Sequence, residues 1–117
     1  MQNIIIAMKG TYLGEFEEIV LLTVGVLAEG AYGNSVKQEI EDRTSRSINL
    51  SAVHSALYRL ERKGFLESEL GAATRQRGGK RKKHFKATSY GQRALSEARE
   101  LREGLWNSYE VPNIQAN

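Results

Sequence analysis

Apolar residues recur at helical spacing through the first half of the chain. From Leu13 to Ala28, the positions Leu13, Phe16, Ile19, Val20, Leu21, Leu22, Val24, Val26 and Leu27 give a segment that is apolar on most sides, the pattern of a central core helix. Glu15, Glu17 and Glu18 load its first turn with the charge a helix amino-terminus favours, and Gly30 supplies a stop. Gly33-Asn34-Ser35 opens a second helix, with Asn34 or Ser35 as its cap. Tyr32, Val36 and Ile40 form its inward stripe, and Arg43 to Ser47 is a polar break. Asn49-Leu50-Ser51 starts a third helix that Lys63-Gly64 closes with a cation and a glycine. Val53, Ala56, Leu57 and Leu60 face inward, leaving Ser51, Ala52, His54, Ser55, Tyr58, Arg59 and Arg62 on the opposite face.

The period then changes. Phe65–Leu70 reads as a short strand and Lys83–Thr88 alternates as a second, with Gly78-Gly79 central to the stretch between them. Two strands about a glycine-centred loop predict a β-hairpin. Thr88 and Ser89 are caps for a last helix running to about Trp106, with a narrow stripe of Ala94, Leu95, Ala98, Leu101 and Leu105. The expected fold is mainly α with a two-stranded β-hairpin (α+β): a winged helix-turn-helix with an added C-terminal helix. Residues 1–88 are expected to form the winged-helix domain with an amino-terminal extension. Residues 89–110 would be a dimerisation helix, and residues 111–117, which include Pro112, a frayed tail.

Charge makes the hairpin more than a structural element. The chain has 117 residues and a net charge of +3. Between Ala72 and Lys86 lie Arg75, Arg77, Lys80, Arg81, Lys82, Lys83 and Lys86 with no acid among them, leaving ten cations against fourteen acids elsewhere. A chain that is otherwise acidic, with one concentrated cationic segment, points to a local polyanionic partner. In a winged helix the third helix enters the DNA major groove and the hairpin reaches the adjacent backbone or minor groove. Double-stranded DNA is therefore the expected partner. The candidate contacts are Tyr32, Asn49, Ser51, His54, Ser55, Tyr58 and Arg59 from the helical part, and Arg75, Arg77, Lys80, Arg81, Lys82 and Lys83 from the hairpin.

The blocks Leu13-Gly14-Glu15-Phe16-Glu17, Ala31-Tyr32-Gly33, Leu50–Gly64 and Arg77–Gly91 together resemble the PadR family of bacterial transcription regulators, over roughly residues 13–95. The length resembles the short subclass, with one carboxy-terminal helix for dimerisation. The resemblance implies a homodimeric repressor of adjacent genes. It also implies that a flat aromatic effector can stack on a tryptophan at the dimer interface, a role that falls here to Trp106, about one turn later on the helix than the resemblance would place it. His54 stands where such proteins more often have tyrosine, and the wing is more basic than the resemblance leads one to expect.

Other chemistry finds little support. With no cysteine there is neither a disulfide framework nor a thiolate site. His54 and His84 have no partner at ligand spacing, so no metal is expected. Gly79-Lys80 lacks the glycine five positions earlier, where Thr74 stands, and the following hydroxyl, where Arg81 stands, that a phosphate-binding loop requires. Ser51, His54 and Ser55 share a helix without an orienting acid, so no catalytic residue and no cofactor is expected. No apolar stretch approaches the ~18 residues of a membrane span, and Ile4–Met8 is too short for a signal-peptide core, so the expected location is the cytoplasm. A winged-helix protein–protein adaptor is the alternative, though it would have no use for uncompensated wing cations.

Overall fold

The computed structural model describes residues 13–71 and 82–110. Three helices come first: α1 (Glu15–Leu27), α2 (Gly33–Thr44) and α3 (Leu50–Arg62). An antiparallel hairpin follows, β1 (Leu66–Leu70) with β2 (Lys83–Ala87), and then the long α4 (Ser89–Ser108). The expected order and fold class hold throughout. α1 ends earlier than its glycine suggests. Ala28 takes a positive φ of 53° and a single 3-10 turn, Ala28–Gly30, follows. α2 begins two residues earlier than a cap at Asn34 requires, and three earlier than a cap at Ser35. Tyr32 is the residue that caps it, and the Ser35 hydroxyl reaches back to accept from the Tyr32 N–H at 2.9 Å.

The core is a single cluster. Val20, Leu21 and Val24 of α1 meet Val36 and Ile40 of α2 and Val53, Ala56, Leu57 and Leu60 of α3. The whole inward stripe read from α3 is buried, as helical periodicity demands. Phe65, Leu66 and Phe85 extend the cluster into the hairpin, and Ala94 extends it into α4.

Two joints hold the hairpin to the helices. Gly64 turns the chain out of α3 with a φ of +84°, a conformation that side chains oppose. The Phe85 N–H then donates to Ala31 O at 2.9 Å, fastening β2 to the segment leading into α2. The register pairs Glu67 with Lys86, Ser68 with Phe85 and Glu69 with His84. Thr88 ends the hairpin and starts α4. Its hydroxyl donates to Gly64 O at 2.7 Å and accepts from the Gly91 N–H at 3.0 Å.

A candidate nucleic-acid interface

The outward face of α3 is polar and open. Ser51, Ala52, His54, Ser55, Tyr58, Arg59 and Arg62 are all exposed, as the periodicity expects. Asn49 has a local duty. Its Oδ1 accepts from the Ser51 N–H at 2.8 Å and from the Ser51 hydroxyl at 2.7 Å, which makes it the cap of α3. Tyr58 stands free, with the Arg62 guanidinium 5.6 Å from its ring centroid. The only acid of α3, Glu61, is turned away from this face. It accepts from the Ser68 hydroxyl and lies 3.2 Å from Lys83 Nζ. The hydrogen bond from Ser68 holds the Glu61 carboxyl below the usual carboxylate range, and Lys83 adds to this against a smaller cost of burial.

Three elements converge at the start of α2. The His54 imidazole of α3 lies against Gly33, so closely that a Cβ on Gly33 would meet its ring. On the other side the His84 ring stands edge-on to Tyr32 at 5.6 Å, and Lys82 Nζ sits 4.2 Å from the Tyr32 ring centroid, a cation–π distance. Tyr32 therefore ties the hairpin base to the helices. Lys82 and Lys83 are placed beside α2 and α3, whereas Arg75, Arg77, Lys80 and Arg81 lie outside the described residues.

Arg59 has a partner that its place on the helix does not disclose. Its Nε donates to Glu17 Oε2 at 2.9 Å, and Lys63 Nζ donates to Glu17 Oε1 at 2.7 Å. Burial would raise the Glu17 pKa, but the hydrogen bonds from Lys63 and Arg59 outweigh it and hold the carboxyl below its usual range. Sequence reasoning assigned Glu17 to the helix dipole and Lys63 to a helix end. No local signal joins residues 42 and 46 positions apart.

α4 divides into two halves. Gly91 and Ala94 are buried against the domain's own core, and Leu95 packs beside them. This corrects part of the expected dimer stripe. Ala94 is 1% exposed within one chain, because the first turns of α4 are needed to cover Phe65 and its neighbours. From Arg99 onward every described residue is exposed. Leu101, Leu105, Trp106 and Tyr109 stand in solvent, and the Trp106 and Tyr109 rings lie 6.0 Å apart. The projecting half is tethered to α1 through Arg102 and Glu18, 2.5 Å apart.

A helix-turn-helix with a cation-bearing hairpin at its side defines the winged-helix class of transcriptional regulators. Residues 23–97 match the Transcriptional regulator PadR-like family, and the chain belongs to that family. Members of the family are transcriptional regulators rather than enzymes. The chain is 34% identical over 86 residues to an uncharacterised protein of Lysinibacillus sphaericus, covering 72% of this chain and 74% of that one. Among solved structures it is similar to a PadR family transcriptional regulator from Eggerthella lenta, with 28% identity and a TM-score of 0.61 over 76% of this chain and 75% of the other. It is also similar in fold to a PadR-like transcription factor from Bacteroides fragilis, with 21% identity and a TM-score of 0.68 over 91% and 94% of the two chains. No single helix among the described residues is long and apolar enough to cross a membrane.

Proposed function

We propose that the chain is a cytoplasmic, homodimeric, sequence-specific DNA-binding repressor of genes adjacent to its own. The observation that carries this reading is the α3 face. It offers Ser51, His54, Ser55 and Tyr58 to solvent with its one carboxylate turned away, beside Lys82 and Lys83 at the end of a segment, residues 72–86, whose sequence carries seven cations and no acid. Hydroxyl, imidazole and phenol groups can read base edges, and cations on long side chains can follow phosphates. The dimer is supported by the free half of α4. Four large apolar side chains on a projecting helix end call for a cover, and a second copy offers the same surface through a twofold axis. Two α3 helices must then sit about 34 Å apart to read successive turns of one duplex face. Trp106, 66% exposed on this half, suits a flat aromatic effector that would change that spacing and release the DNA.

The test is a binding titration with the duplex upstream of the gene, against a scrambled duplex, at several salt concentrations. Sharp, salt-sensitive preference for the upstream duplex is expected. No binding at micromolar protein and low salt would favour the adaptor reading instead. Replacing Lys80, Arg81 and Lys82 with alanine should weaken binding to both duplexes alike. It should also flatten the salt dependence by about 0.9 for each phosphate that is no longer neutralised. Replacing Ser51, His54 or Ser55 should narrow the preference between duplexes, by about 1–3 kcal/mol for each good base-edge hydrogen-bond pair removed. A wing variant that kept its salt slope, or helix variants that kept the site preference, would refute this division of labour.

A further inference from the structure

Glu17 projects from the first turn of α1 onto the last turn of α3. Its side chain is 10% exposed, and its two oxygens are taken by two cations of the same helix, Arg59 Nε at 2.9 Å and Lys63 Nζ at 2.7 Å. Arg59 and Lys63 are four residues apart, so they stand one above the other on α3 and a single carboxylate reaches both. The anchor itself is built on the core. Val20, Leu21 and Val24 bury α1 in the core, and the adjacent Glu18 is tied to Arg102 of α4.

We infer that Glu17 is a positioning residue of the DNA-reading helix, which sets the roll of α3 and withholds Arg59 and Lys63 from the phosphate backbone. The inference rests on the reading of α3 as the helix that meets DNA. A cation that reaches a phosphate adds affinity for every duplex equally, because phosphates carry no sequence. Discrimination depends on the ratio of specific to non-specific affinity. Two untethered cations at the end of α3 would raise both affinities by that same phosphate contribution. They would also let the helix settle on phosphates in more than one roll, which adds to non-specific binding alone, because base contacts hold the specific complex to one roll, and so lowers the ratio. A desolvated carboxylate opposes both effects. It holds Arg59 by Nε and Lys63 by Nζ, drawing both toward α1, and fixes the direction in which Ser51, His54, Ser55 and Tyr58 point.

The experiment compares the salt dependence of binding for the full chain and for Glu17→Gln, on the upstream and scrambled duplexes. The variant is expected to bind the scrambled duplex more tightly. Its slope of log affinity against log salt should be steeper by about 0.9 for each cation that reaches a phosphate. Its preference for the upstream duplex should fall by at least about fivefold, the size of one modest base contact. Adding Arg59→Met and Lys63→Met to Glu17→Gln should return the slope to that of the parent. In the parent background the same two methionines should cost less than about half a unit of slope, a reading that stands even if Glu17→Gln does not fold. A loss near two units there would put both cations on phosphates already and overturn the inference. So would a Glu17→Gln protein that binds both duplexes more weakly with an unchanged slope, since a mere structural tie between α1 and α3 predicts that result. A parent protein that binds neither duplex at low salt removes the DNA-binding reading, and this inference with it.

Discussion

Leu105→Asp is expected to leave the winged-helix domain folded and to dissociate the proposed dimer. Leu105 is 62% exposed on the free half of α4, so the monomer loses almost nothing when it changes. In a twofold interface the substitution occurs twice. Each copy forfeits about 2 kcal/mol of apolar burial and faces the further cost of placing a carboxylate in an apolar seam. A loss of at least about 4 kcal/mol weakens association about a thousandfold. Sedimentation should then give the mass of one chain at micromolar concentration, where the parent gives two. Affinity for the upstream duplex should fall by about a hundredfold or more, because two tethered reading heads become two independent ones. An unchanged thermal transition would show that the effect lies in the seam. A variant that remains dimeric would move the interface off this half of α4.

Phe65→Ala should have the largest effect on the fold. Phe65 is fully buried at the point where α3, the hairpin and α4 meet, with its ring 5.1 Å from that of Tyr90. Its backbone is equally engaged, donating to Leu60 O at 2.9 Å and accepting from the Thr88 N–H at 3.0 Å. Truncating a buried phenylalanine costs about 3–5 kcal/mol, a large share of the roughly 5–15 kcal/mol that holds a domain of this kind together. The same joint is crowded from the α4 side. A Cβ on Gly91 would come within 2.2 Å of Phe65 O, so Gly91→Ala must push α4 off the hairpin. Gly104→Ala is the control on the same helix. Nothing lies within 4 Å of the added carbon there, and alanine should stabilise α4 by about 0.5–1 kcal/mol. Chemical denaturation of the three variants reads this directly. Equal effects from the two glycine substitutions would contradict the close approach of Gly91 to Phe65.

What the sequence determined by itself is what depends on near neighbours. The period of Val53, Ala56, Leu57 and Leu60 defines the buried side of α3, and thereby the open side that carries Ser51, His54, Ser55 and Tyr58. The shift to alternation after Gly64 and the capping Thr88 define the two strands and the start of α4. Local rules suffice there because a helix or strand face is set by residues two to four positions apart. The same rules mislead where two local signals compete, as at Ala28, which ends α1 ahead of Gly30.

Only the tertiary structure decided which of those faces is occupied and by what. The stripe on α4 is continuous in sequence, yet Ala94 is spent on the chain's own core while Leu101 and Leu105 remain uncovered. That division is made by where the hairpin returns the chain to α1. Arg59 and Tyr58 are adjacent and both exposed in part, but one is held by a carboxylate from α1 and the other stands free. Glu17 and Glu18 read alike as dipole charges and are pulled in opposite directions, to α3 and to α4. Hydrophobic burial is non-directional and leaves a periodic trace along the chain. A charge–charge hydrogen bond needs one particular partner at about 3 Å, and that partner is brought within reach only when the helices are packed.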